Sequence, residues 1–184
     1  MLKKILQKDQ KVLREHAKEV PVREITTPKI KKILKEMSLA LASQSDGVAI
    51  AAPQIGYSLR IFVVSGKIFR EDFARERSER MGGGPAEAGA ESTPEDLIFI
   101  NPKVTKLSRD KEWLPEGCLS VRWLYGKALR SKKATVAAYD QHGKKFTRGA
   151  SGLLAQIFQH ETDHLDGVLF IDHAKDIREE KPAK

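Results

Sequence analysis

The chain of 184 residues lacks several features that define common protein classes. Its single cysteine, Cys118, cannot form an internal disulfide bond, so nothing indicates a secreted scaffold stapled by disulfides. The longest uninterrupted apolar run, residues 48–52, is far shorter than the ~20 residues of a membrane-spanning helix. No signal-peptide stretch follows the basic N-terminus. These absences predict a soluble, cytoplasmic protein without a membrane partner.

The composition indicates one folded domain with an excess of positive charge. Hydrophobic residues make up 40% of the chain, which suffices for a core, and the length suits a single domain over residues 1–184. Lysine and arginine outnumber aspartate and glutamate by 33 to 25, for a net charge of +8. Basic surfaces attract polyanions, so transient contact with the RNA-rich ribosome is a hypothesis, with no specific nucleic acid sequence as a target.

The spacing of apolar residues predicts an α+β fold in which antiparallel β-sheets pack around a central helix. Apolar residues three and four apart indicate an N-terminal amphipathic helix over residues 25–42, with Thr27 as N-cap and Pro28 in the first turn. A second helix is predicted over residues 151–166, ending at Gly167. Short strands are predicted at residues 61–64, 97–100 and 134–139.

Three segments are predicted to lie largely outside regular structure. Small residues at 47–54 favour an extended loop that allows close backbone approach. Residues 67–96 form an inserted segment, which begins with a short helix carrying Phe69 and Phe73 and continues as a flexible Gly- and Pro-rich stretch. The charged tail at residues 175–184 is expected to fray.

The second predicted helix carries a metal-binding pattern of the H-E-x-x-H kind. His160 and His164 are four residues apart, which places both imidazoles on one face with Glu161 beside them. Each histidine alone could equally be an ordinary core or surface residue. Cys118 is the natural third ligand, and three protein ligands leave a fourth position for water, as in catalytic sites. Fe(II), Zn(II), Co(II) and Ni(II) all suit this ligand set.

Three segments of the chain together resemble the peptide deformylase family. They are Gly47-Val48-Ala49-Ile50-Ala51-Ala52-Pro53-Gln54, Glu116-Gly117-Cys118-Leu119-Ser120 and Gln159-His160-Glu161-Thr162-Asp163-His164-Leu165-Asp166-Gly167. The resemblance runs from about residue 11 to about residue 173. It implies a hydrolase that removes the formyl group from N-formyl-methionyl nascent peptides and releases formate, with Fe(II) as the usual metal and zinc in some members.

The resemblance also implies a role for individual residues. Cys118, His160 and His164 would bind the metal, and Glu161 would be the general acid and base. Gln54 and the backbone N–H of Leu119 would donate hydrogen bonds to the developing oxyanion.

Substrate-binding residues follow from the same segments and from their neighbours. Small residues at 47–49 let an extended peptide add as a strand. The methionine side chain needs an apolar slot, for which Val48, Leu114 and Ile157 are the candidates. All three could equally be plain core residues. The predicted substrate-binding residues are Gly47, Val48, Ala49, Leu114, Gly117 and Ile157.

The chain departs from the family pattern at two places. Ala49 stands where a second glycine is usual, so the position either needs no positive φ or the local backbone has adjusted. Arg122 and Trp123 stand where proline and glycine are commoner, which adds a cation and a large ring near the expected cleft mouth.

Two other functions compete with this prediction. One is a zinc peptidase of the H-E-x-x-H kind that cleaves internal peptide bonds, although it does not explain the segment around Cys118. The other is a metal-stabilised basic module that binds RNA or the ribosome, suggested by the net charge of +8.

Overall fold

The computed structural model describes residues 2–70, 72–73 and 94–181. Within these ranges two long α-helices and eight β-strands account for most of the regular structure, with short 3₁₀ turns between them. The helices are α1 (Pro28–Ala42) and α2 (Gly152–Leu165). The strands are β1 (Ala49–Ala51), β2 (Ile61–Val64), β3 (Leu97–Leu107), β4 (Lys111–Gly117), β5 (Leu124–Ser131), β6 (Lys133–Tyr139), β7 (Lys145–Ser151) and β8 (Lys175–Glu179).

The strands form two antiparallel sheets. Five strands pair in the order β1-β2-β3-β6-β7, and three pair in the order β4-β5-β8. Strand pairing is antiparallel throughout both sheets. The predicted combination of antiparallel sheets with few helices is therefore confirmed.

Strands β1 and β2 of the five-stranded sheet are buried on both faces, because α2 packs on one face and α1 packs on the other at this end of the sheet. Alternation along β2 places Phe62 in the cluster formed with α2, while Val63 belongs to the cluster formed with α1. Aromatic rings fill the α2 side: Phe99 stacks on Phe62 with ring centroids 4.5 Å apart and meets Phe158 of α2 at 5.1 Å. This packing fixes α2 against the sheet.

Local sequence signals define where both helices begin or end. The Thr27 side chain accepts a hydrogen bond from the N–H of Ile30, and Pro28 begins α1. After α2, Gly167 has φ of +75°, and a Cβ there would lie 2.7 Å from the carbonyl oxygen of Arg14. Only glycine suits this position, because other residues would be strained and would clash.

The structure differs from the sequence-based predictions in several segments. Residues 47–54 do not form one extended loop, since β1 pairs with β2 and a 3₁₀ turn follows at Ala52–Ile55. The prediction of a frayed tail is wrong for Lys175–Glu179, which pair with β5 although their side chains are exposed. Strands β4, β5 and β7 were not predicted, because their apolar residues alternate with many charged ones.

The inserted segment at residues 67–96 lies largely outside the described residues. Its beginning forms the 3₁₀ turn Gly66–Phe69, and Phe69 and Phe73 pack against the α2 side of the core. The predicted flexible Gly- and Pro-rich stretch falls on residues that the structure does not describe. Among the described helices, none is long and apolar enough to span a membrane.

Candidate metal centre

Two structural elements bring a cysteine and two histidines together. Helix α2 places His160 and His164 one turn apart, with their ring centroids separated by 4.9 Å. Cys118 directly follows β4, and its Sγ lies 3.2 Å from Nε2 of His164. One ligand atom from each of the three residues lies within 4.8 Å of the other two, so the group could bind a metal ion.

A buried carboxylate fixes the orientation of His160. Nδ1 of His160 lies 3.0 Å from Oε2 of Glu116, and because an ionised carboxylate only accepts, Nδ1 donates this hydrogen bond. When the imidazole is neutral, Nε2 then carries the lone pair that a metal ion needs, as in many metal sites where a carboxylate orients a histidine ligand.

Glu116 belongs to a buried charge network that sequence reasoning missed. Arg130 binds both of its carboxylate oxygens, from Nε at 2.7 Å and from Nη2 at 3.0 Å. The remaining Nη1 of Arg130 donates to Asp163 at 2.7 Å, while Gln156 donates to the Glu116 carboxylate at 3.3 Å. Glu116 lies two residues before Cys118, so a charged residue close to a proposed ligand was a signal, but no local pattern marks Arg130.

The network shifts the pKa values of its members. Burial alone would raise the pKa of Glu116, but hydrogen bonds from His160 and Arg130 lower it to about 2. Burial would likewise lower the pKa of Arg130, but Glu116 and Asp163 raise it. For His160, burial is outweighed by Cys118 and Glu116, which raise its pKa well above the ordinary value. Cys118 and Glu116 therefore favour positive charge at His160.

Two buried polar atoms beside the cluster lack hydrogen-bond partners among the described residues. They are Oε2 of Glu161 and Nδ1 of His164. Burial raises the pKa of Glu161 to about 7, and burial together with the charge on His160 lowers that of His164. Buried polar atoms normally have partners, so an unpartnered carboxylate oxygen fits a group that bonds to a water or a substrate.

The Gln54 side chain is buried and has one defined orientation. Its Oε1 accepts from the N–H of Ala51 at 2.7 Å, so Nε2 is the end that turns toward the cluster. Nε2 donates to Oγ of Ser120 at 3.0 Å and lies 3.7 Å from Sγ of Cys118. Ser120, which sequence reasoning gave no role, therefore helps to position this amide.

The backbone N–H of Leu119 has no acceptor within hydrogen-bonding distance among the described residues. The loop around it is nevertheless ordered, because the Val121 N–H donates to the Cys118 carbonyl at 3.1 Å and the Ser120 N–H donates to Sγ of Cys118 at 3.4 Å. Leu119 itself is 8% exposed. A free N–H in a fixed loop can donate to a ligand.

A cavity of about 350 Å³ opens over the cluster. The predicted apolar residues Val48 and Ile157 line it, but Leu114 does not. Leu114 lies on β4 two residues before Glu116, while Leu153 of α2, which was not predicted, takes a place in the lining. The lining also includes Gly47, Ala49, Gln54, Glu116, Gly117, Cys118, Leu119, His160 and Glu161.

Both departures from the family pattern lie at this cavity. Ala49 begins β1 and is not among the described residues with positive φ, so the position needs no glycine conformation. Arg122 lines the cavity together with Asp46, which binds its guanidinium through two hydrogen bonds of 2.6 and 2.8 Å. The guanidinium also lies 4.6 Å from the ring centroid of Trp123.

This arrangement combines three side chains that could bind one ion, a buried carboxylate and hydrogen-bond donors around a cavity. Together these groups can perform the chemistry of mononuclear metal-dependent hydrolases.

Known proteins with similar sequences and structures narrow this class. A family model described as polypeptide deformylase matches residues 2–180. The chain is 37% identical over 177 residues to a peptide deformylase of Desulforudis audaxviator, covering 96% of each. It is 36% identical over 172 residues to peptide deformylase 2 of Clostridium acetobutylicum, covering 93% of this chain and 94% of that one. The crystal structure of the Thermotoga maritima peptide deformylase is 30% identical, with a TM-score of 0.75, covering 95% of this chain and 99% of that one.

The chain belongs to the polypeptide deformylase family. Members of this family are metal-dependent hydrolases that remove the formyl group from nascent peptides, and this chain is an enzyme of that kind.

Proposed function

We propose that the chain hydrolyses the formyl amide of N-terminal formyl-methionine on nascent polypeptides and releases formate, with the Cys118, His160 and His164 cluster as its reaction centre. The observation that carries this proposal is the position of Glu161, which has a buried, unpartnered carboxylate oxygen and lines the same cavity as Cys118 and His160. The whole of residues 1–184 acts as one catalytic domain, into which residues 67–96 are inserted.

The three ligand side chains would hold one divalent ion, with Fe(II) as the proposed native metal and Zn(II), Ni(II) or Co(II) as possible replacements. The donor set fits, because the hydrogen bond to Glu116 leaves Nε2 of His160 free and Nε2 of His164 adjoins Sγ of Cys118. When bound, such an ion supplies a Lewis acid and lowers the pKa of a water toward ~7.

Glu161 moves the proton in this proposal. A carboxylate whose pKa is raised to about 7 by burial is well matched to accept a proton near neutral pH and to return it. It takes the proton from the attacking water and then delivers it to the leaving amine of methionine. Glu161 does not need to be a ligand for this role.

Gln54 and Leu119 stabilise the negative charge that develops on the formyl oxygen. The orientation of Gln54, fixed through the Ala51 N–H, presents an uncharged donor, and the Leu119 N–H has no competing acceptor among the described residues. Losing one donor of this type typically lowers turnover by ~10²–10³.

The substrate peptide binds as an added strand beside residues 47–49. Support comes from the position of β1 at the end of the five-stranded sheet, where its second edge has no strand partner among the described residues. The methionine side chain enters an apolar slot formed by Val48, Leu153 and Ile157, all of which line the cavity.

Nascent chains are made in the cytoplasm, so we place the enzyme there, in transient contact with the ribosome. The net charge of +8 favours an encounter with ribosomal RNA.

The test offers the metal-loaded protein a formyl-Met peptide and the same peptide without the formyl group. We expect stoichiometric formate from the first and no internal cleavage of either. For Glu161→Gln, metal binding should persist while kcat falls by ~10²–10⁴, the usual range for a lost general base. The control is Glu112→Gln, because Glu112 is an exposed glutamate of β4 and should not affect turnover. Cleavage between residues would instead indicate the H-E-x-x-H zinc peptidase.

A further inference from the structure

The segment before the first 3₁₀ turn contacts both proposed oxyanion donors. The N–H of Leu6 donates to the carbonyl of Gln54 at 2.8 Å. The half-buried side chain of Gln7 reaches the loop after β4, where Nε2 donates to the Leu119 carbonyl at 3.0 Å and Oε1 accepts from the N–H of Arg122 at 3.2 Å. One side chain thus fixes two points of this loop.

The first of these hydrogen bonds acts on the peptide group that joins Leu119 to Ser120. The carbonyl of this group accepts from Gln7, and its N–H donates to Sγ of Cys118 at 3.4 Å. Because a peptide group is planar, fixing its oxygen also fixes the direction of its N–H. Hydrogen bonds in series also polarise one another. Gln7 is therefore connected to the thiol through one peptide group.

The same contacts restrain the free N–H of Leu119. Rotation of the loop about Leu119 would move this N–H relative to Gln54, whose Nε2 donates to Oγ of the next residue, Ser120. Among the described residues, Gln7 is the one side chain that donates to the Leu119 carbonyl.

We propose that Gln7 is a positioning residue of the reaction centre, which sets the Leu119 N–H for the formyl oxygen and the Ser120 N–H for the Cys118 sulfur. This inference rests on the proposed function, because it assigns Gln7 a task only if Leu119 and Cys118 have theirs.

The test compares two variants with wild-type protein. Gln7→Met keeps the length of the side chain but removes both hydrogen bonds. Gln7→Glu keeps an acceptor for the Arg122 N–H and places an oxygen against the Leu119 carbonyl oxygen. Gln10→Met is the matched control, since Gln10 is an exposed glutamine three residues further on.

Two readouts separate positioning from general stabilisation. In formyl-Met peptide hydrolysis, we expect kcat of both variants to fall by about tenfold with KM within about twofold, less than the loss of a donor outright. In the Co(II)-substituted proteins, the sulfur-to-cobalt charge-transfer band should move to longer wavelength, because a thiolate with a weakened hydrogen bond is a stronger electron donor. Gln10→Met should match wild type in both.

Unchanged kcat and an unchanged band in both variants would overturn the inference, and so would a loss of thermal stability with the band in place. If Gln7→Met does not fold, Gln7→Glu alone decides. A wild-type protein that releases no formate would overturn the proposed function, and the cobalt band would still report whether Gln7 acts on Cys118.

Discussion

Two arginine–carboxylate pairs of similar geometry contribute residues to the cavity lining, and their surroundings differ. Arg130 and Glu116 are buried, with side chains 6% and 3% exposed. Arg122 and Asp46 lie among the lining residues contributed by loops, with side chains 17% and 52% exposed. Each pair is joined by two short hydrogen bonds.

The difference in burial separates a structural requirement from a surface contact. A buried ion pair is costly to desolvate, but removing one partner leaves an uncompensated charge and destabilises strongly. An exposed pair is screened by water and salt, and contributes about 0–1 kcal/mol. The inner pair, Arg130 and Glu116, also orients a proposed metal ligand, since Glu116 binds Nδ1 of His160, whereas the outer pair, Arg122 and Asp46, has no such contact.

The largest expected effect is the loss of the buried cation. Arg130→Met leaves the carboxylates of Glu116 and Asp163 without their shared partner, so we expect the free energy of unfolding to fall by about 3–5 kcal/mol. Urea unfolding measures it. Arg122→Met is the matched control and should lose no more than about 1 kcal/mol. Equal losses in the two variants would remove the distinction between the pairs.

Acid should release the contribution of the inner pair in the metal-free protein. The pKa of Glu116 is lowered from 4.5 to about 2, because hydrogen bonds from His160 and Arg130 outweigh burial. Because the pKa of Glu116 is lower in the folded protein, its contribution to the free energy of unfolding is complete above about pH 4.5 and is lost as the pH falls toward 2. The loss amounts to about 3 kcal/mol. The free energy of unfolding at several pH values measures this loss, and Glu116→Gln should remove it from the pH dependence.

The next effect concerns the metal rather than the fold. Glu116→Gln retains an acceptor oxygen but removes the charge opposite His160, so we expect metal affinity to fall by about 10–100-fold. Competition with a coloured chelator measures the affinity. Asp46→Asn is the control, since Asp46 contacts none of the three ligands, and its affinity should equal that of wild type. A weakened metal affinity in the control would mean that the Arg122–Asp46 pair also shapes the ligand cluster.

Sequence reasoning was most reliable where a short pattern determines the structure by itself. The N-cap at Thr27, the glycine stop at Gly167 and the four-residue spacing of His160 and His164 are local features, and the structure contains all three. The three ligand candidates also converge to within 4.8 Å.

The remaining features depend on contacts between distant segments. Arg130 reaches Glu116 across the β4–β5 hairpin, and no spacing in the sequence predicts such a pairing. Leu114 looked like a pocket residue because it adjoins a motif, but its place on β4 keeps it out of the cavity lining, which Leu153 enters instead. Likewise, Lys175–Glu179 form an edge strand through backbone pairing, which the hydrophobicity of their side chains does not predict.

The smallest expected effect is at the outer pair, where Asp46→Asn tests how little this pair contributes to the free energy of unfolding. Arg122 lowers the pKa of Asp46 through a hydrogen bond, yet the carboxylate is half exposed, so stability should change by less than about 1 kcal/mol and the difference should vanish in 1 M salt. The substitution also leaves Arg122 without its carboxylate beside the cavity. For formyl-Met peptides with an acidic second residue we therefore expect kcat/KM to rise, by less than about tenfold, relative to peptides with a neutral one. An unchanged ratio would mean that bound peptides do not reach Arg122.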